Sequence, residues 1–252
     1  MKKYVNRWIC FFVVFLGIGV IHSDTFGGEK LIFGTHLIPR MVVDAHSGVF
    51  IELTRTLADR SKLEIEIVVI PPKRAIAYFQ DQRFDVLFPG MDVYFPPGHL
   101  PVKSEELITV KCDFVFTKKG TPMLTTIDDL RGKRVGITLG YPYTRELLDN
   151  PHIIFDKAPS DEINTKKLIA GRIDAFVVEE RTGTQAFLNT GLQEMVQYDK
   201  AAPISEQEVY YAFQDTEKGR QLAHLITQAL REMKEDGTFA EIMQKGDVNS
   251  QK

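Results

Sequence analysis

The sequence predicts an α/β fold of two lobes whose strand ends face one cleft, and three observations carry that prediction. First, Arg83-Phe84-Asp85-Val86-Leu87-Phe88-Pro89-Gly90 and Arg172-Ile173-Asp174-Ala175-Phe176-Val177-Val178-Glu179 share one pattern, in which a helix end gives way to a tight Arg-x-Asp turn and an apolar run. An unbroken apolar run suits a strand buried on both faces, as in a parallel sheet covered by helices. Second, the chain ahead of the first run reads β-α-β-α-β, the order of a parallel sheet with crossover helices. Third, ligand-holding groups follow each run: Gly90 and Asp92 after the first, Glu179 and Glu180 after the second. Open α/β sheets bind their ligands at such carboxyl ends.

Leu31 to Thr35 is a short strand, with a loop from His36 to Ser47. Ser47 and Gly48 open a helix with Val49, Phe50, Leu53 and Leu57 at helical spacing. Leu63 to Ile70 alternates apolar and acidic residues, the mark of a strand with one wet face. Pro71 ends it, and Pro72 suits the first turn of a helix through Phe79. After the first Arg-x-Asp strand and a proline-rich loop, Leu107 to Thr117 is a long extended crossing between lobes.

The second lobe opens at Ile127 to Leu130, capped by Thr126. Arg134 to Thr138 is a strand, Gly140 to Thr144 a turn into a helix, and Ile153 to Phe155 another strand. Ser160 caps a helix that Gly171 stops, and Arg181 to Asn189 is a helix ended by Gly191. Glu208 to Phe213 is the return strand. Asp215 is expected to cap the last long helix, striped with Leu222, Leu225, Ile226, Ala229, Leu230 and Met233 and stopped by Gly237. A short helix from Thr238 through Met243 closes the chain. Lobe 1 is expected over 24–111 and 212–252 and lobe 2 over 112–211, with hinge crossings near 110 and 210. A double crossing is the geometry of a protein that closes around a ligand.

The 252 residues are enough for one or two domains. Lys2, Lys3 and Arg7 precede an apolar run from Trp8 to Ile21 and then small and polar residues, the order of a secretory signal peptide. Cleavage is expected after Ser23, with a site near Gly27 as the alternative and an uncleaved anchor as a third possibility. The run falls short of the about 20 residues a spanning helix needs. Removing residues 1–23 takes away three positive charges and no negative ones, so a net charge of −3 becomes −6. An acidic chain argues against nucleic acid as a partner. Cys112 would remain alone, which leaves no intrachain disulfide in an oxidising compartment. His36, His46, His99, His152 and His224 show no metal-ligand spacing, and there is no Gly-x-Ser-x-Gly elbow or phosphate loop.

Several stretches together resemble the periplasmic solute-binding proteins of the polar-amino-acid ABC transporter type, family 3. They are Pro72-Lys73-Arg74-Ala75 ahead of Arg83-Phe84-Asp85-Val86, Asp129-Leu130-Arg131-Gly132-Lys133-Arg134-Val135-Gly136, Gly171-Arg172-Ile173-Asp174-Ala175, and Ala229-Leu230 with Lys234-Glu235-Asp236-Gly237-Thr238. The resemblance covers residues of about 30 to 245. It implies a type II periplasmic-binding-protein-like fold, with two lobes of mostly parallel sheet flanked by helices, joined by a two-strand hinge around a small ligand. The family's Ser/Thr two residues beyond the Gly90 position and its following arginine clamp a ligand carboxylate, since a planar guanidinium matches it. Here Asp92 occupies the first position, and Tyr94-Phe95-Pro96-Pro97-Gly98 contains no arginine. The family's acid for the ligand's amino group is preserved as Glu179. Two cleft carboxylates, Asp92 and Glu179, favour a cationic or hydrogen-bond-donating ligand other than an ordinary α-amino acid.

The expected ligand-binding set is Glu179, Asp92, Gly90, Arg74, Thr138, Tyr141, Tyr143 and His36, with Arg40 in the same loop as His36. Each has a plainer reading. Glu180 reads as a helix-start acid favoured by the helix dipole, Asp92 as a loop cap and Arg74 as a surface ion pair. Tyr141 and Tyr143 flank Pro142 where the family has small residues, and serve either to stack on a ring or quaternary amine or to fill space. No cofactor, metal or catalytic residue is expected. The reading is an exported periplasmic monomer that closes on a small polar ligand and delivers it to an ABC-type permease. The alternatives are a sensory protein signalling to a membrane receptor, or a dehydratase-type enzyme working through cleft acids.

Overall fold

The structure, a computed structural model, describes residues 29–246, so the leader expected over residues 1–23 lies outside the described residues. In chain order the elements are β1 (Leu31–Thr35), α1 (Val49–Arg60), β2 (Ile65–Val69), α2 (Pro72–Gln80), β3 (Val86–Gly90), β4 (Val102–Lys103), β5 (Thr109–Lys118) and β6 (Arg134–Thr138). They continue with α3 (Arg145–Leu148), β7 (Ile154–Ala158), α4 (Asp161–Ile169), β8 (Ala175–Glu179), α5 (Glu180–Thr190), β9 (Val196–Gln197), β10 (Ser205–Phe213), α6 (Glu217–Glu235) and α7 (Thr238–Gln244).

The main strands lie in the order β2-β1-β3-β10-β5-β8-β6-β7. Each outer triplet is parallel, with β1 between β2 and β3 and β6 between β7 and β8. Strands β10 and β5 run antiparallel to each other and to their outer neighbours. That pair carries the chain from one parallel sheet to the other and back, which makes two lobes joined by a two-strand hinge.

Packing divides in the same way. In the first lobe, one face of the sheet gathers Phe33, Leu53, Phe88, Val209, Tyr211 and Leu230, and the other gathers Ala75, Phe79, Phe95, Tyr210 and Ala212. In the second lobe Val115 and Val177 pack with Ile137 and Tyr143, while Phe114, Phe116, Phe176 and Val178 pack with Phe187. Successive strand residues point to opposite faces, and both faces are covered. That double burial is why these strands read as unbroken apolar runs.

The repeated Arg-x-Asp turn has one structural role in both lobes. Asp85 Oδ2 accepts from the Ile32 amide at 2.8 Å, and Asp174 Oδ2 accepts from the Arg134 amide at 2.8 Å. The same aspartates donate their own amides to the Ile32 and Arg134 carbonyls. Each thus satisfies backbone groups at the start of the neighbouring parallel strand, groups that are costly to leave unmade.

Some details differ from the expectations. The long helix α6 is capped by Thr216, whose hydroxyl accepts from the Gly219 amide at 3.0 Å, while Asp215 turns to Arg220 at 2.7 Å. Gly219 itself is required, because a Cβ there would lie 1.9 Å from the Gln214 carbonyl oxygen. The return strand begins at Ser205 rather than Glu208. The segment after Thr126 forms a single 3-10 turn, Asp128–Leu130, with the Thr126 hydroxyl accepting from the Asp129 amide. The two-residue strands β4 and β9 carried no sequence signal.

Candidate ligand site at the strand ends

The carboxyl ends of β1 and β3 bring His36, Gly90 and Asp92 to one edge of the first lobe. Gly90 is the last residue of β3, and a Cβ on it would lie 2.8 Å from Ala212 and 2.9 Å from the Tyr210 ring. Its small size therefore lets β3 lie close against the hinge. Asp92 begins a 3-10 turn and is answered by the chain itself: Lys103 Nζ lies 2.6 Å away, and the Tyr210 hydroxyl donates at 2.7 Å. Burial opposes ionisation of Asp92, but these two bonds outweigh it and hold its pKa below the usual carboxylate range. His36 is 7% exposed, sits edge-on to Tyr94, and has no hydrogen-bond partner for Nδ1 among the described residues. Burial lowers its pKa from 6.5 to about 4, so the ring is neutral at pH 7. Arg74 lies exposed in the first turn of α2.

In the second lobe the ends of β6 and β8 carry the remaining residues. The Tyr143 hydroxyl accepts from the Thr138 amide and donates to the Val177 carbonyl, both at 3.0 Å. The β6–β8 register is recorded over Val135–Ala175 and Gly136–Phe176, so this hydroxyl bridges the two strands just beyond their ladder. Tyr143 is 4% exposed and stacks on Tyr141. Tyr141 and Thr138 both donate to the buried carboxylate of Asp161. Desolvation pushes that carboxyl's pKa up against those bonds, with Glu162 and Glu179 adding like charge. Glu179 is the cap of α5: the Thr182 amide and hydroxyl both donate to its Oε2, at 2.9 and 2.8 Å. Fixing one oxygen in this way fixes the direction of the other. Glu180, the first residue of α5, accepts from the Tyr198 hydroxyl at 2.6 Å.

The structure also assembles a polar cluster on the hinge strands that was not anticipated from the sequence. Asp113 is fully buried and takes Lys111, the Ser205 hydroxyl at 2.8 Å and the Gln207 amide at 3.3 Å. Gln207 also donates to the Pro142 carbonyl at 2.9 Å, and Lys111 reaches the same carbonyl at 3.4 Å. Both acceptors meet Gln207 Nε2, which leaves its buried Oε1 without a donor among the described residues. From α3, Arg145 Nη2 donates to the Phe95 carbonyl of the first lobe at 3.4 Å. A signal for the cluster was present in the polar i, i+2 pairs Lys111-x-Asp113 and Ser205-x-Gln207, which put charged groups on one face of β5 and neutral polar groups on one face of β10.

The arrangement offers fixed carboxylates and hydroxyls on the second lobe and a neutral imidazole on the first. Among the described residues no three His, Cys, Asp or Glu side chains are placed to hold a metal ion, and no helix is long and apolar enough to cross a membrane. A surface groove of about 690 Å³ along α1, lined by Arg40, His46, Arg55 and Lys245 among others, includes none of the strand-end residues.

The model of the bacterial extracellular solute-binding proteins, family 3, matches residues 35–245. PatH of Vibrio harveyi, named for amino-acid ABC transporter binding, is 29% identical over 137 residues, about half the length of each chain (52% of both). The arginine-binding extracellular protein ArtP of Bacillus subtilis is 23% identical over 97% of this chain and 98% of its own. The histidine-binding periplasmic protein of Escherichia coli K12 is 23% identical over 79% and 78%. Among solved structures, the GluR0 ligand-binding core from Nostoc punctiforme with L-glutamate superposes with a TM-score of 0.68, at 22% identity, over 85% of this chain and 98% of that one. A histidine kinase sensor domain similar to periplasmic binding proteins gives 0.66 at 19% identity, over 86% and 95%. These structures share the type II periplasmic-binding fold.

Proposed function

The chain belongs to the bacterial extracellular solute-binding proteins, family 3, and from that premise we propose that it is exported to the periplasm, binds a small polar molecule between its lobes without converting it, and delivers it to an ABC-type permease. The lobes are proposed over 24–111 with 212–252 and over 112–211, of which 24–28 and 247–252 lie outside the described residues. Support for the first boundary comes from the cores, whose packing partners change between Ile108 and Cys112; the second change falls between Ile204 and Val209, so Val209, Tyr210 and Tyr211 pack with the first lobe, ahead of the 211/212 bound. The ligand bridges the lobes and stabilises the closed form by its differential affinity.

One observation carries the ligand reading: Glu179 is held at the end of β8 by two donors on a single oxygen, which presents the other in a fixed direction beside Asp161. A cationic or multiply donating group answers such a carboxylate. Asp92 is already matched by Lys103, and 94–98 contains no arginine for a carboxylate, so the ligand is other than an ordinary α-amino acid. Around Glu179, the binding surface also includes Thr138, Tyr141 and Tyr143 as its wall and His36, Gly90 and Arg74 facing them. A thermal-shift panel of α-amino acids, amines, quaternary amines, carboxylates and aromatic compounds tests this. A binder present at 100 times its Kd adds roughly 2.7 kcal/mol. Shifts with amines but not α-amino acids support the reading, and the reverse pattern contradicts it.

The likeness to a histidine kinase sensor domain favours a second reading, in which the closed form is presented to a membrane receptor. Stable binding to a detergent-solubilised permease rather than to a receptor ectodomain separates the two.

A further inference from the structure

The loop between β6 and α3 is tied at three points that belong to different parts of the molecule. Its Pro142 carbonyl is held by Gln207 of β10 and Lys111 of β5, the two strands that must bend if the lobes move. Its Tyr143 hydroxyl is fixed to the frame of the second lobe. Directly after it Arg145, the first residue of α3, is exposed and donates to the Phe95 carbonyl, and the Phe95 ring packs on Phe79 of α2 in the first lobe. A segment with one end on the hinge and the other across the cleft cannot stay still while the hinge bends.

We propose that Pro142–Arg145 is a coupling strap and that Arg145 is a positioning residue for closure: its bond to the Phe95 carbonyl draws the lobes together in the unliganded protein, while the Gln207–Pro142 bond makes hinge bending and lobe approach one event. This rests on the binding reading only for its effect on affinity. In the strap account Arg145 acts on the closed population, so its removal lowers affinity by one common factor for every ligand, since apparent Kd is the intrinsic Kd divided by the competent fraction. A direct contact between Arg145 and ligand would instead depend on the ligand's chemistry.

The test compares the wild-type protein with Arg145→Ala, Arg145→Lys and Gln207→Met. Small-angle scattering without ligand reads the lobe separation, and calorimetric titration with L-arginine, L-histidine and agmatine reads affinity. Arg145 is exposed, so its replacement leaves the fold intact. The expected result is a larger radius of gyration for ligand-free Arg145→Ala and Gln207→Met, restoration in Arg145→Lys, and an equal loss of about threefold or more for each probe that binds the wild type. Unchanged scattering in Arg145→Ala overturns the proposal. So does a loss confined to the carboxylate-bearing probes L-arginine and L-histidine with agmatine unaffected, which would make Arg145 a ligand contact. Wider scattering with agmatine, the one probe that is an amine without a carboxylate, left unbound by the wild type upholds the strap while counting against the amine-ligand reading.

Discussion

Glu179 stands directly opposite Asp113 in the antiparallel ladder between β8 and β5. Cross-strand partners share a face of the sheet, so the acid at the second lobe's strand end lies beside the hinge. The two carboxylates differ in what answers them. Asp113 is enclosed by Lys111, Ser205 and Gln207, whereas Glu179 is steadied by the Thr182 amide and hydroxyl on one oxygen. The first belongs to the frame, and the second is the acid proposed to meet the ligand.

Removing the framing acid should be costly. The Lys111 side chain is only 11% exposed and Asp113 not at all, so Asp113→Ala strands an ammonium in a desolvated site. Urea unfolding should show a loss of about 3–5 kcal/mol. The paired change Lys111→Met with Asp113→Leu removes both charges and should cost less than Asp113→Ala.

Tyr143→Phe should also destabilise the protein. The lost hydroxyl leaves the Thr138 amide and Val177 carbonyl without their partner in a buried site, at about 1–3 kcal/mol for each group. The melting temperature should fall, and the class of ligand bound should stay the same. A variant as stable as wild type would remove the bridging role.

His36 predicts a pH dependence. Its folded pKa, about 4, lies below the 6.5 of the unfolded chain, so between those values the unfolded state takes up a proton that the folded state refuses. The stability this group contributes is complete above pH 6.5 and is lost as pH falls toward 4. From pH 6.5 to 5 the loss should reach about 2 kcal/mol. Asp161 has a raised pKa and acts with the opposite sign, losing its contribution as pH rises through its folded value. Comparison with His36→Phe, whose unfolding free energy should change less over that interval, isolates the histidine. Parallel curves for the two proteins would contradict the buried, neutral ring.

Most of the fold was legible because its signals are local. Arg83-x-Asp85 and Arg172-x-Asp174 mark the start of each buried strand, and the structure shows their aspartates pairing with Ile32 and Arg134 in the same way. Pro72, Ser160 and Gly191 mark helix ends through backbone geometry that needs no tertiary partner. The strand-end position of Glu179 was legible for the same reason. Relationships between distant segments were not. The sequence gives no sign that Lys103 neutralises Asp92, that Tyr143 closes the gap beyond the β6–β8 ladder, or that Gln207 meets Pro142. At α6, Asp215 and Thr216 are both good caps, and the choice between them depends on where Arg220 lies.

The most direct test of the central claim is calorimetric titration of the wild-type protein, Glu179→Gln and Asp92→Asn with the amine that gives the largest thermal shift. A hydrogen bond to a charged group contributes about 1.5–3 kcal/mol, so Glu179→Gln should weaken binding by roughly 10- to 100-fold. Asp92→Asn, whose charge Lys103 already answers, should stay within about threefold, since exposed pairs contribute little. Wild-type affinity in Glu179→Gln, or an equal loss in Asp92→Asn, would contradict a ligand held by the acid at the end of β8.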